Sequence, residues 1–390
     1  MIITFFSNYY NHHQAALCKC LNEIADVEFY FVETEPMEAF RKNMGWGSIE
    51  KPPFVISAYE SEEKKDLALQ LAITSDAVMV GSAPEWYVQK RISSDLLTFR
   101  YTERPMKEGW IKMFIPRLGL KFYRIHYKNR DRKLYLLGAS AFAAADYKIL
   151  RSYPGKCLKF GYFPEGEDRS FEEISGMKTR GNKPVSILWT GRFLKLKRAD
   201  LLIKALKVLK DKNIDFTATL VGEGEQKEHI KALCSGYGLG DRVKFSDFVQ
   251  PDEVRSLMRA SDIYVMTSNH LEGWGSVIYE ALSEGCAVVA SHACGCTKWL
   301  VKPEKTGLVF RNGDHMSLSD KLERFILDEK LRSACQKGAF EQMKKLWNPR
   351  VAAERIAEFT RNYNAGRELF IYEDGPLSRA QIVKNNWYHD

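Results

Sequence analysis

A chain of 390 residues with 45% hydrophobic and 28% charged residues is too long for one ordinary core and too apolar for disorder, which predicts two domains of under ~200 residues each. Its apolar runs fall far short of a membrane span, and its start, Met1-Ile-Ile-Thr-Phe-Phe, has neither a basic region nor a small-residue cleavage site. A soluble, cytoplasmic protein is expected. The net charge of +8 is concentrated between Arg104 and Lys133, where ten basic residues stand against Glu108 and Asp131. Trp110, Ile111, Phe114, Ile115, Leu118, Leu120, Phe122 and Tyr123 are interleaved with them. That pattern suits peripheral contact with an anionic membrane, at the inner face for a cytoplasmic protein, or a solvated helix face over ordinary core. No recognition motif accompanies the charge, so nucleic acid is not an expected partner.

In chain order, short apolar runs alternate with helical spacing, as parallel α/β layers require. The first half offers strands at Ile2–Phe6, Val27–Val32, Ala77–Val80, Leu97–Tyr101 and Leu134–Leu137. His13 and Glu103 each follow such a strand and are candidates for lining a cleft, with a surface or capping role as the alternative. The turn-rich stretch from Phe163 to Pro184 reads as the interdomain linker. The second half offers strands at Val185–Trp189, Phe216–Val221, Val243–Phe245, Ile263–Met266, Ala287–Ala290 and Leu308–Phe310. Helices between them carry Leu201, Leu202, Ala205, Leu206 and Leu209, then Val277, Ile278, Ala281 and Leu282.

Three strand ends in this half carry chemistry. Thr190-Gly191-Arg192 with Lys197 sets two cations where open α/β sheets bind ligands. Gly222-Glu-Gly makes a second glycine turn, and Lys227 stands where a dinucleotide pattern would have its third glycine. The third segment runs Glu272-Gly273-Trp274-Gly275-Ser276-Val277-Ile-Tyr-Glu280. With Ser276 as a helix cap, the amides of Gly275, Ser276 and Val277 would face an anion, and Glu272 and Glu280 would accept from paired hydroxyls. Of the eight cysteines, Cys18/Cys20 and Cys294/Cys296 form C-x-C pairs without zinc spacing, so reduced thiols and no metal site are expected. His126 and His292 are read as structural.

These motifs, in this order, resemble the donor site of the large retaining GT-B glycosyltransferase family, glycosyl transferases group 1 of the E-x7-E type. Arg192 and Lys197 match its diphosphate pair, Gly222 its glycine turn, Glu272 and Glu280 its two acids, and Trp347-Asn-Pro its closing region. The resemblance is convincing from about Val185 to Tyr363. It implies an α/β GT-B fold, two Rossmann-like domains facing each other across a cleft: 1–163 for the acceptor, 164–348 for the nucleotide sugar, and 349–390 as a helix and tail packing back toward the first.

It further implies a retaining, metal-independent hexosyltransferase without a cofactor, taking a nucleotide-diphosphate sugar as donor and a glycan or lipid-linked acceptor in polysaccharide or glycoconjugate biosynthesis. Arg192, Lys197 and Glu272 would be catalytic. Gly191, Gly222, Gly273, Trp274, Gly275, Ser276, Val277 and Glu280 would bind the donor. No D-x-D occurs in the chain, which disfavours the metal-dependent GT-A type. The chain departs from the family at Ser291-His-Ala-Cys-Gly-Cys-Thr-Lys-Trp299 and at Asn8-Tyr-Tyr-Asn-His-His-Gln14, where relatives place glycines. A sugar-nucleotide epimerase or phosphorylase of the same fold, or a non-catalytic glycan- or nucleotide-binding subunit, are the alternatives.

Overall fold

The computed structural model describes residues 1–38, 50–166, 169–178 and 183–388. The chain forms two compact units, Met1–Glu165 with Leu346–Val383, and Gly166–Lys345 with Lys384–Asp390. Among the described residues, no helix is long and apolar enough to cross a membrane.

The sheet of the first unit is built from β1 (Ile2–Ser7), β2 (Glu28–Glu33), β3 (Val55–Ser57), β4 (Ala77–Val80), β5 (Thr98–Thr102), β6 (Leu134–Gly138) and β7 (Cys157–Lys159). Their order is β3-β2-β1-β4-β5-β6-β7, and all neighbours run parallel. Central β1 is covered on both faces, with Ile3, Thr4, Phe5 and Phe6 without solvent contact, which is why it reads as an apolar run broken only by Thr4. The edge strands β3 and β7 have three residues each. They pair through a neighbour's register, Phe31 to Val55 and Leu136 to Cys157, rather than through any pattern of their own.

The second unit contains β8 (Val185–Thr190), β9 (Phe216–Val221), β10 (Val243–Ser246), β11 (Ile263–Met266), β12 (Ala287–Ser291) and β13 (Gly307–Phe310), in the parallel order β10-β9-β8-β11-β12-β13. Helix Ala199–Asp211 lays Leu201, Leu202, Ala205, Leu206 and Leu209 into this unit's core, each almost wholly buried. At about 1.5–3 kcal/mol for each fully buried leucine, this stripe fixes the helix on the sheet. Both sheets reverse their strand order once, between β1 and β4 and between β8 and β11. Such a switch point opens a crevice at the strands' carboxyl ends.

The turn-rich stretch 163–184 contains a helix, Phe171–Met177, started by a reciprocal capping box between Ser170 and Glu173. It has one buried residue, Ile174, so helical spacing is nearly invisible in the sequence. Lys178 then anchors the segment, donating from Nζ to the carbonyls of Met258 (3.0 Å), Ser261 (2.9 Å) and Glu284 (3.2 Å). Residues 167–168 and 179–182 of the expected linker lie outside the described residues. Near the chain's end, helix Pro349–Asn364 is capped by Asn348 and joined to the first unit by Arg361 with Asp26 at 2.6 Å and by Arg350 with Glu23.

Candidate active site

The switch point of the second unit places two of the predicted residues in contact. β8 ends at Thr190, and the chain passes through a short 3-10 turn, Lys195–Lys197, before the left-handed Arg198 starts the next helix. β11 ends at Met266 and continues into the loop that carries Glu272. Trp189 Nε1 donates to Thr267 Oγ1 (3.0 Å), Thr267 Oγ1 donates to the Lys197 carbonyl (2.6 Å), and the Asn269 amide donates to the Leu196 carbonyl (2.9 Å). These three bonds tie the two loops together. Across them Lys197 Nζ meets Glu272 Oε2 at 2.6 Å, with both side chains mostly covered yet still reachable from solvent. A charge pair in this setting is strong and oriented, because little water screens it.

Arg192 lies on the same loop, exposed and without a side-chain partner among the described residues. Beside it the turns after β8 and β9 touch backbone to backbone. A Cβ on Gly222, at φ +138°, would lie 2.0 Å from the Gly191 carbonyl oxygen, so no side chain fits there. The Gly191 amide donates to the Val221 carbonyl at 3.0 Å and seals the contact.

The helix after Glu272 spans Ser276–Ser283, and its cap is Gly275 in the left-handed region at φ +87°, not Ser276, which is the first helical residue. A glycine takes that conformation without the strain a serine would suffer, and it turns the first helical amides toward the loop. Ser276 and Val277 are partly exposed at this end, and Gly273 is buried. Trp274 is 1% exposed, its ring set 6.0 Å from that of Trp299, so its side chain serves the core. One turn into the helix, Glu280 keeps some solvent contact. Burial, opposed by Arg255 and reinforced by Glu284, pushes its carboxyl up to about 7.

The segment after β12 braces this loop. The Cys296 amide donates to the Trp274 carbonyl (2.9 Å), while the Cys294 and Cys296 thiols lie against the carbonyls of Ser268 (3.5 Å) and Gly275 (3.6 Å). All eight cysteines are free, and burial holds the Cys294 thiol well above its usual range. His292 Nδ1 accepts from the Asn312 amide (2.9 Å), so its Nε2 donates to the Asn385 carbonyl (3.1 Å). Trp387 Nε1 donates to the His292 carbonyl at 3.0 Å, and the His270 ring stands 5.7 Å from the His292 ring. The chain's last segment is thereby fastened to the neighbourhood of the Glu272 loop.

In the first unit, His13 and Glu103 converge on a residue that carried no motif. Asn11 caps helix His12–Asn22 through the His13 amide (3.0 Å), and the His13 ring lies 5.4 Å from that of Tyr162. Tyr162 OH donates to Glu103 Oε1 at 3.2 Å, and Glu103 also pairs with Lys107. Burial and the Glu103 carboxylate hold the Tyr162 hydroxyl well above its usual range. An isolated tyrosine after β7 offers no spacing by which it could have been singled out.

Two parallel-sheet units of this topology define a GT-B fold, and in the second the switch point carries a paired lysine and glutamate beside a glycine-tight turn and a helix start. Solved structures agree with the fold. Anabaena HepE in complex with UDP matches 93% of this chain and 99% of its own at a TM-score of 0.65 and 16% identity. Sucrose-phosphate synthase from Thermosynechococcus elongatus matches 94% of this chain and 100% of its own at 0.64 and 17%. Residues 170–342 match the model of the family described as glycosyl transferases group 1. Among curated relatives, the lipopolysaccharide core biosynthesis glycosyltransferase LpsE of Rhizobium meliloti is 29% identical over 40% of this chain and 44% of its own. A GDP-mannose-dependent phosphatidylinositol monomannoside mannosyltransferase of Mycobacterium tuberculosis is 25% identical over 55% of this chain and 58% of its own. The chain spans about half the length of the curated relatives it matches.

Proposed function

We propose that this protein is a retaining, metal-independent hexosyltransferase that moves a sugar from a nucleotide-diphosphate sugar to a glycan or lipid-linked acceptor in polysaccharide or glycoconjugate biosynthesis. The observation that carries this reading is the Lys197–Glu272 pair at the switch point, beside the Gly191–Gly222 contact and the start of the helix bearing Glu280. A cation and a carboxylate held together there suit a ligand with a diphosphate at one end and hydroxyls at the other.

In the reaction, the acceptor oxygen bonds to the sugar's anomeric carbon as the bond to the donor's β-phosphate oxygen breaks. The departing diphosphate takes the acceptor's proton, so no protein nucleophile is needed. Arg192 and Lys197 stabilise the charge growing on that phosphate, an effect worth about 3–4 kcal/mol for one well-placed donor. Glu272 holds hydroxyls of the transferred sugar. Glu280 accepts from the ribose hydroxyls, and the backbones of Gly191, Gly222, Gly273, Trp274, Gly275, Ser276 and Val277 line the phosphate path. His13 and Glu103, with Tyr162 between them, form the acceptor side, and the basic stretch 104–133 rests on an anionic membrane at its cytoplasmic face.

Incubation with a panel of UDP-, GDP- and ADP-sugars tests the reading. A transferase slowly hydrolyses its donor, in the presence of a chelator as in its absence. Isomerised donor would identify an epimerase, release of a sugar phosphate from a glycan would identify a phosphorylase, and binding without turnover would identify a silent subunit. HepE was solved with UDP, and the mycobacterial relative is named for GDP-mannose, so both bases belong in the panel.

A further inference from the structure

The first unit contains a groove of about 730 Å³ between helix Trp86–Ser93 and the segment made of helix Pro116–Phe122 and the π-helical turn Tyr123–Tyr127. Arg117, Lys121, Arg124, Lys128 and Arg132 line it, against one carboxylate, Glu85, already paired with Arg100 at 2.8 Å. None of the five cations has an ion-pair partner among the described residues. Several cations elsewhere in the unit are matched, as Lys19 is with Glu165, Lys64 with Glu60 and Lys65 with Glu62. Five unpaired cations around one groove repel one another, and an anionic occupant relieves that repulsion.

An apolar ridge precedes the groove in the chain. Of the seventeen large hydrophobic side chains that are exposed among the described residues, six fall between Trp110 and Tyr123. Trp110 is 59% exposed and Ile111 and Phe114 are each 70% exposed, with the Trp110 and Phe114 rings packed edge to face at 5.4 Å. A concentration of that size marks an interaction site, since scattered apolar side chains are what an ordinary surface carries. Apolar residues with a tryptophan, next to unneutralised cations on short helical turns, have the chemistry of a segment lying in a lipid headgroup layer.

We infer that this ridge and groove are one bilayer-docking surface: Trp110, Ile111 and Phe114 enter the acyl boundary while Arg117, Lys121, Arg124, Lys128 and Arg132 hold the phosphates of anionic phospholipid headgroups. The inference deepens the membrane contact in the proposed function and does not depend on the donor chemistry. The occupant is a bilayer rather than a soluble polyanion because the ridge has no use for the latter.

The test is partition of the full chain onto phosphatidylcholine vesicles with and without phosphatidylglycerol. A cation near an anionic surface contributes about fivefold in partition, so R117Q/K121Q/R124Q lowers binding to the anionic vesicles on the order of 100-fold. W110S/F114S lowers it about tenfold or more through lost apolar insertion. Wild-type binding to neutral vesicles is expected to be far weaker. Equal binding to both vesicle types, unchanged partition of either variant, or full release by soluble inorganic phosphate would each overturn the proposal. Thermal unfolding of the variants checks that they fold. Turnover of soluble donor in the same preparations judges the transferase reading separately, and the surface stands or falls on partition alone.

Discussion

Replacing Glu280 by glutamine separates what this residue does for the fold from what it does for the ligand. Its carboxyl, ordinarily near 4.5, is pushed up to about 7, chiefly by burial. The folded protein therefore binds a proton at this site that the unfolded chain has already lost. The contribution of Glu280 to stability falls as pH rises from about 4.5 to about 7 and then levels off, because at this site the unfolded state binds fewer protons over that window. At 1.36 kcal/mol per tenfold change in proton affinity, the wild type forgoes roughly 2–3 kcal/mol at pH 8 that it retains at pH 5. Glu280→Gln has no such loss, so its unfolding midpoint relative to wild type should be several degrees higher at pH 8 than at pH 5. Donor KM is expected to move the other way: in the proposed role ionised Glu280 accepts from the ribose hydroxyls, so wild-type KM should fall as pH rises through about 7 and the glutamine variant should lose that dependence. Calorimetric melts at the two pH values decide the matter. An equal difference in midpoint at both would refute the reasoning.

Gly222→Ala sets a methyl 2.0 Å from the Gly191 carbonyl at a φ of +138°, so we expect a loss of at least about 2 kcal/mol in a denaturant titration and a parallel loss of donor binding. A variant of wild-type stability would contradict the close approach. Trp387→Ala removes the bond to the His292 carbonyl and the ring 4.2 Å from Lys298 Nζ. It should lower stability by about 1–2 kcal/mol and raise donor KM more than it lowers kcat, and an unaltered KM would show that the tail does not brace the Glu272 loop.

Legibility differed from one element to the next for physical reasons. β9 and β11 have the expected bounds, Phe216–Val221 and Ile263–Met266: β11 is buried along its whole length and reads as an apolar run, while β9 alternates buried residues with Thr217 and Thr219. β3, β7 and the helix Phe171–Met177 were invisible, since two are held by a neighbour's register and the third buries a single side chain. At the candidate site, the sequence shows Lys197 and Glu272 as ends of separate loops. Their meeting depends on Thr267, which bridges Trp189 and the Lys197 carbonyl and belongs to no motif. The Gly275 cap was misplaced onto Ser276 because serine is the commoner cap and a left-handed glycine leaves no other mark. Tyr162, the raised carboxyl of Glu280 and the groove facing helix Trp86–Ser93 all arise from packing between distant segments. The cation spacing of Arg117, Lys121, Arg124 and Lys128 was readable in the chain, whereas the wall opposite them was not.

The central claim is that the switch point of the second unit turns over a nucleotide sugar, and it is tested most directly by nucleoside-diphosphate release from a donor panel by wild type and by Lys197→Ala. The account predicts release from one nucleotide sugar by the wild type and a fall of about 10²–10³ in kcat for the variant, measured below the variant's own melting midpoint because Glu272 then loses its ion-pair partner. Turnover that survives intact in Lys197→Ala, or no release from any donor, would contradict it.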